Sequence, residues 1–343
     1  MKTPVCACMP ESINPNVSRR PGNPADCALY RDHPPGPGNI FAPCGEGTDQ
    51  EPKVILFLQF IINGLIIGGA YALIGIGLTL IFGIMNVVNF AHGEMYMLGA
   101  YFLFTFFSML GINFYVSIVF AIAAVMVVGF VCEKLILRPL RGRSIETLML
   151  AMIGLSLLFQ NVAMLVWSPI PEAIESPSAM PALIIGGLYF LPQRILIVGI
   201  AFMLVILTHL LLKKTKMGKA LRATFLDPEA AALMGIDTNH VYSFTFTLGA
   251  GLAGAAGALL APIFTVHPYI GNLANLKAFA IVIIGGLGSF AGAVAAGLLL
   301  GVAESLGAAY VSSGYQEAVG FVLLIIILIF RPTGLFGKIG QRR

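Results

Sequence analysis

The stretch "NFAHGE", Asn89 to Glu94, places a histidine and a glutamate two residues apart among long apolar runs. An imidazole and a carboxylate there can cap a helix, hold a metal, or shape the mouth of a polar path. A charge at the centre of a bilayer costs about 2.5–3.5 kcal/mol even on lenient scales. His92 and Glu94 must therefore sit at an interface, face a protein interior or find polar partners. On a helix, positions i and i+2 point to different sides, so the two do not form one tight pair. One histidine and one glutamate are also too few ligands for a metal site. Two readings stay open. Glu94 can cap the first turn of the next span, where negative charge is favoured. Alternatively, Asn89, His92 and Glu94 line or gate the mouth of a pathway. Asn63, Asn86 and Glu304 are the other polar candidates inside apolar runs, and Glu304 can equally neutralise a neighbour or cap a helix break. The ionisable residues are scattered and Cys132 stands alone, so no catalytic residues are assigned.

Composition says what must position these groups. Hydrophobic residues make up 58% of the 343 and charged residues only 10%, against about 25% charged in a soluble domain. Apolar runs occupy roughly 54–83, 90–109, 113–133, 146–167, 190–212, 240–262, 277–308 and 315–330. Many approach the ~20 residues that cross a bilayer as a helix. The runs do not alternate as the ~10-residue strands of a membrane barrel do. The expected fold is an all-α polytopic membrane protein, a bundle of about 8–10 transmembrane helices with at least one broken helix or helical hairpin.

Charge orients the bundle. Of the 15 Lys and Arg after residue 53, 13 fall within 134–143, 213–222 and 331–343. The positive-inside rule puts these three segments in the cytoplasm. The loop 168–181 has no Lys or Arg and faces outside. Parity from 222 to 331 then requires an even number of crossings, so the 277–308 run must break. Gly285, Gly286 and Gly288 of "GGLGS" are the break candidates. The 54–83 run either crosses once, leaving the N-terminus outside, or breaks near "GGAYALIG". Small residues at close spacing, as in "GAGLAGAAGALL" at 249–260, predict helices whose backbones pack tightly.

The first 53 residues differ. They hold ten of the 20 prolines and Cys6, Cys8, Cys27 and Cys44, with no apolar run. Residues 1–53 read as a disordered or mis-assigned extension. The cysteine spacing fits no zinc pattern. Residues 338–343 read as a basic cytoplasmic tail.

The loop 213–239 carries the most specific signal. In "LDPEAAALMGI", Asp227 suits an N-cap, Pro228 the first helical position, Glu229 the positive end of the dipole and Gly235 the C′ position. A capped short helix is expected there. It serves either as an interfacial helix on lipid headgroups or as a docking element for a partner.

"GKALRATFLDPEAAALMGI" resembles the EAA-type loop of ABC-importer permeases. "NGLIIGGAYALIGIGLTLIFGIMNVVNFAHGEMYMLGAY", "GGLGSFAGAVAAGLLLGVAE" and "RPTGLFG" are similar to the branched-chain amino acid permeases, more closely the H-type subunit. The resemblance covers essentially 54–337, the expected transmembrane domain. It implies half of a translocation pathway for Leu, Ile and Val, in a bacterial inner membrane. It also implies ATPase coupling through Gly218, Glu229, Ala230, Ala231 and Gly235, with hydrolysis uncoupled from transport when Glu229 or Gly235 is substituted. Implied partners are a second, M-type permease, two ABC ATPase subunits, membrane lipid and a periplasmic or lipid-anchored substrate-binding protein. The chain lacks a Walker A pattern, so ATP is expected on those partner subunits. No metal, directly bound cofactor or nucleic acid is expected. Urea or short-chain amide ABC permeases share much of the pattern. An ion-coupled secondary transporter would also show broken helices, but it needs no structured coupling loop.

Overall fold

Apolar runs fold as helices here because the backbone then satisfies itself without water. The computed structural model describes residues 53–85, 87–174, 183–185 and 188–337. Asn86, the extension 1–52 with its four cysteines, the basic tail 338–343 and part of the loop 168–181 lie outside the described residues. Helix α1 runs Lys53–Met85 without a break, so "GGAYALIG" is continuous helix. After a largely buried non-helical stretch at 87–91 comes α2, His92–Phe104, extended by a π-helical turn, Thr105–Met109. Helix α3, Phe114–Cys132, leads through a second π turn into α4, Arg138–Leu140. Next come α5, Ile145–Trp167, and a short antiparallel ribbon of β1, Leu183–Ile185, and β2, Leu188–Phe190. The chain continues with α6, Pro192–Lys214, α7, Lys216–Leu226, and α8, Pro228–Leu233. It closes with α9, Thr238–Leu260, α10, Ile270–Gly285, α11, Phe290–Tyr310, and α12, Gln316–Phe330.

Among the described residues, six helices are long and apolar enough to span a bilayer. Helices α10 and α12 are apolar but shorter, at 16 and 15 residues. At 1.5 Å per residue they are about 24 and about 23 Å long, somewhat under the ~30 Å hydrocarbon core. The bundle is layered. About four-fifths of α1 and α9 is buried (78% of each apolar window), against 22% of α5 and 17% of α6. The inner helices touch backbone to backbone. Gly64 and Gly68 of α1 lie against Gly301 and Gly297 of α11, where any Cβ would come within 3.0 Å of backbone atoms.

The long 277–308 run is broken. Helix α10 stops at Gly285, and Gly286 (φ 94°) and Gly288 (φ 78°) turn the chain into α11, whose N-cap Ser289 accepts from the Gly292 amide. The "RPTGLFG" segment closes the same corner. Leu335 and Phe336 donate their amides to the carbonyls of Ile284 and Gly285, which the end of α10 leaves without helical partners. A Cβ at Gly286 would come within 2.6 Å of the Gly337 nitrogen, so this packing needs glycine.

The described parts of the three basic segments, 134–143, 213–222 and 331–337, lie at one end. A small apolar cluster of Ile84, Leu221 and Val241 fastens α7 to the ends of α1 and α9. Arg141 donates to Asn239 Oδ1 at 2.7 Å, tying the α4 corner to the start of α9. At the opposite end, Trp167 donates to Thr105 Oγ1 at 2.7 Å and stacks on Tyr101.

Candidate functional site

The NFAHGE segment opens α2 inside the bundle. Asn89 Oδ1 accepts from the Ala91 amide at 3.0 Å, which shapes the turn into the helix. The His92 ring is fully buried, and its Nε2 lies 3.1 Å from the Ile74 carbonyl of α1. A carbonyl only accepts, so Nε2 carries the proton. Glu94 faces elsewhere, as its i+2 position requires. Its Oε1 accepts from Ser156 at 3.0 Å and Gln160 at 2.8 Å, both on α5. Gln160 also donates to Asn272 of α10 at 2.9 Å. Glu94 thus stands in the first turn of α2 while its carboxylate joins α2, α5 and α10. Buried polar groups need such partners.

A second cluster links α1, α10 and α11. Lys277 Nζ donates to Glu304 Oε2 at 2.9 Å and to the Tyr71 hydroxyl at 2.6 Å, and Tyr71 donates to the same Glu304 oxygen at 3.0 Å. All three are buried. Asn63 lies apart, accepting from Arg194 at 2.6 Å. A third cluster sits at the basic end, where Glu133 accepts from Arg141 and Ser243 while the Arg141 guanidinium lies 4.6 Å from the centre of the Tyr242 ring.

Beside Tyr71 and Lys277 is a cavity of about 220 Å³, walled by α1, α2 and α10 and rimmed by the α9–α10 and α11–α12 connections. Glu94 and Glu304 do not meet. The His92 partner Ile74 and the Glu304 partners Tyr71 and Lys277 line this one space. Sequence reasoning missed Lys277, Tyr71, Ser156 and Gln160. One signal pointed to Lys277. It and Arg194 are the two basic residues after residue 53 that lie outside the three basic segments.

The buried ion pair has a testable energetic consequence. Lys277→Met should destabilise the protein by about 3–5 kcal/mol, because Glu304 is left as an uncompensated buried charge. Lys277→Met with Glu304→Leu should recover most of that loss. Thermal unfolding of the purified protein in detergent, with both variants side by side, checks the pattern.

The loop 213–239 forms two helices where one was expected. Thr215 caps α7 by accepting from the Gly218 amide at 3.0 Å. Gly218 is buried under the end of α6, where a Cβ would come within 2.2 Å of the Leu212 carbonyl oxygen. Asp227 Oδ1 accepts from the amides of Glu229 and Ala230 at 2.9 and 3.0 Å, capping α8. At its other end Gly235 has φ 83°, with the Ile236 amide bonded to the Ala231 carbonyl and the Gly235 amide to that of Ala232. That is the Schellman arrangement. Ala231 is buried, whereas Glu229 and Ala230 are exposed. Leu233 and Met234 at the tip are 89% and 83% exposed.

This architecture, with glycine-packed helices, a deep helix start and polar clusters joining buried spans, defines an all-α polytopic membrane protein. A family model described as "Branched-chain amino acid transport system / permease component" matches residues 60–329, and the chain belongs to that family. It is 37% identical over 302 residues to the high-affinity branched-chain amino acid transport system permease protein BraD of Pseudomonas aeruginosa, covering 84% of this chain and 98% of that one. It is 35% identical over 305 residues to the permease protein LivH of Escherichia coli K12, covering 83% and 97%. LivM of the same organism is 26% identical over 294 residues, covering 77% and 67%. Family membership makes the chain a multi-pass transport component.

Proposed function

We propose that this chain forms half of the translocation pathway of an ATP-driven ABC importer for leucine, isoleucine and valine in a bacterial inner membrane. A second, M-type permease subunit completes the pathway. Two ATPase subunits dock at the basic, cytoplasmic end, and a periplasmic or lipid-anchored binding protein delivers substrate at the other. Residues 54–337 constitute the transmembrane domain, and 213–239 is its coupling loop. The BraD and LivH relatives support the substrate class, and the likeness to LivM supports a pseudo-symmetric permease pair.

The observation that carries the coupling role is α8. It is a helix capped at both ends, held at the basic end of the bundle, with two large apolar side chains, Leu233 and Met234, exposed at its tip. Contiguous exposed apolar patches rimmed by polar residues mark protein or membrane contacts. Glu229, Ala230 and Gly235 lie on or beside this surface, Ala231 roots it, and Gly218 seats the preceding helix under α6. The short helix is rigid enough to pass ATPase closure to α9. Leu233→Asp tests this reading directly. The fold should survive, because Leu233 contacts little of the bundle, while co-purification of the ATPase subunits should be lost. An ATPase complex of normal stoichiometry in that variant would contradict the docking role.

Helices α5 and α6 expose most of their apolar surface. Lipid or the M-type subunit covers those faces. On the pathway side, Asn89, His92, Glu94 and Glu304 are the proposed polar determinants of the permease core. Glu94 and Glu304 each tie together helices that must shift during alternating access.

A further inference from the structure

We propose that the cavity beside Lys277 is a waypoint for one zwitterionic amino acid, and this rests on the importer reading above. Its volume is about 220 Å³, room for many waters at the ~10–15 Å³ of open space that one requires. That is the size class of a single free amino acid and below the ~300–1,000 Å³ of drug-sized pockets.

Its chemistry is divided. Lysine carries three donors, and Lys277 uses two of them on Glu304 and Tyr71. The third remains for the cavity that Lys277 lines, where it can meet a carboxylate. Glu317, in the first turn of α12, stands on the rim and is exposed. It can accept from an α-ammonium group. Between them the wall is mostly apolar, with Ile74, Phe264, Ile270, Leu273 and Ala274 beside the polar atoms of Tyr96, Thr265 and Gln316, and it suits a branched aliphatic side chain. The remaining basic group, His267, sits in the α9–α10 connection, and burial lowers its pKa from the ordinary 6.5. It is neutral at pH 7 and does not compete with Lys277 for the carboxylate. Glu304 already balances the Lys277 charge, so what the site offers is a spare ammonium donor, a rim carboxylate and a mostly apolar wall. These give a partner to each part of an aliphatic zwitterion, whereas a free acid, a free amine or urea lacks one part or another.

The test uses the full importer in proteoliposomes, with radiolabelled leucine as the probe and two variants of this chain. Ala274→Phe fills the cavity without unpairing a charge. Glu317→Gln removes the rim charge at an exposed position where folding is not at stake. An exposed charge contact is worth about 0.2–1 kcal/mol, and 1.4 kcal/mol is tenfold, so leucine taken up per ATP hydrolysed should fall up to about fivefold in Glu317→Gln. It should fall further in Ala274→Phe, which removes the space itself. A ratio unchanged from the parent in either one overturns the waypoint while leaving the importer standing. A parent complex with no ATP-driven leucine uptake overturns the importer reading and the waypoint with it.

Discussion

Gly301→Leu should leave no folded permease to purify. On α11, Gly301 faces Gly64 and Gly68 of α1, and even a single Cβ would come within 2.5 Å of their backbone atoms. A leucine cannot be absorbed by a rotamer change, because the obstacle is main chain. Overpacking a tight core ordinarily costs about 1–3 kcal/mol. Here it would pry apart two inner helices whose association rests on close packing, since lipid supplies no hydrophobic drive between them. The expected result is aggregation or degradation, read as loss of the monodisperse peak in detergent. Gly199→Leu is the matched control. Gly199 lies on the outward helix α6 with nothing within 4 Å of a Cβ, and that variant should purify like the parent.

Glu229→Arg should abolish coupled transport while sparing the fold. Glu229 is exposed in the first turn of α8, and its side chain supports no other element. Reversing its charge next to the positive end of the helix dipole costs about 0.3–1 kcal/mol, which a bundle of this size tolerates. On the proposed ATPase-facing surface the same change puts a cation where an acid was. Receptor-stimulated ATP hydrolysis should no longer produce uptake, and leucine accumulation should drop to the level seen without ATP. Transport-coupled ATPase equal to the parent's would remove Glu229 from the coupling surface. Reading uptake and hydrolysis in the same vesicles separates uncoupling from simple loss of the complex.

Features set by nearby residues were legible in the sequence. The ends of α8 are written in Asp227, Pro228 and Gly235, because caps act within one turn. The break after Gly285 follows from charge parity and a glycine cluster. The tight inner crossings follow from small residues at close spacing. Features set by distant residues were not legible. Tyr71 and Glu304 are 233 positions apart, and Glu94 and Gln160 are 66 apart. No periodicity links such positions, so Glu304 had no visible companion until α10 and α11 were folded against α1. The structure also gives Gly218 a burial that its motif position did not disclose. Helix α7 went unforeseen for a different reason. Its sequence, "KMGKALRATFL", carries three basic residues among eleven, and it is held by packing on Ile84 and Val241 rather than by its own composition. Only α1 resolved the ambiguity at "GGAYALIG", since glycine alone neither requires nor forbids a break.

ATP-dependent uptake of radiolabelled leucine should be measured in proteoliposomes holding this chain, its partner permease, the ATPases and the binding protein. The expected result is accumulation that requires ATP and is competed by isoleucine and valine but not by urea. Uptake of urea instead would replace the substrate, and leucine transport driven by an ion gradient with the ATPases omitted would contradict the coupling mechanism itself.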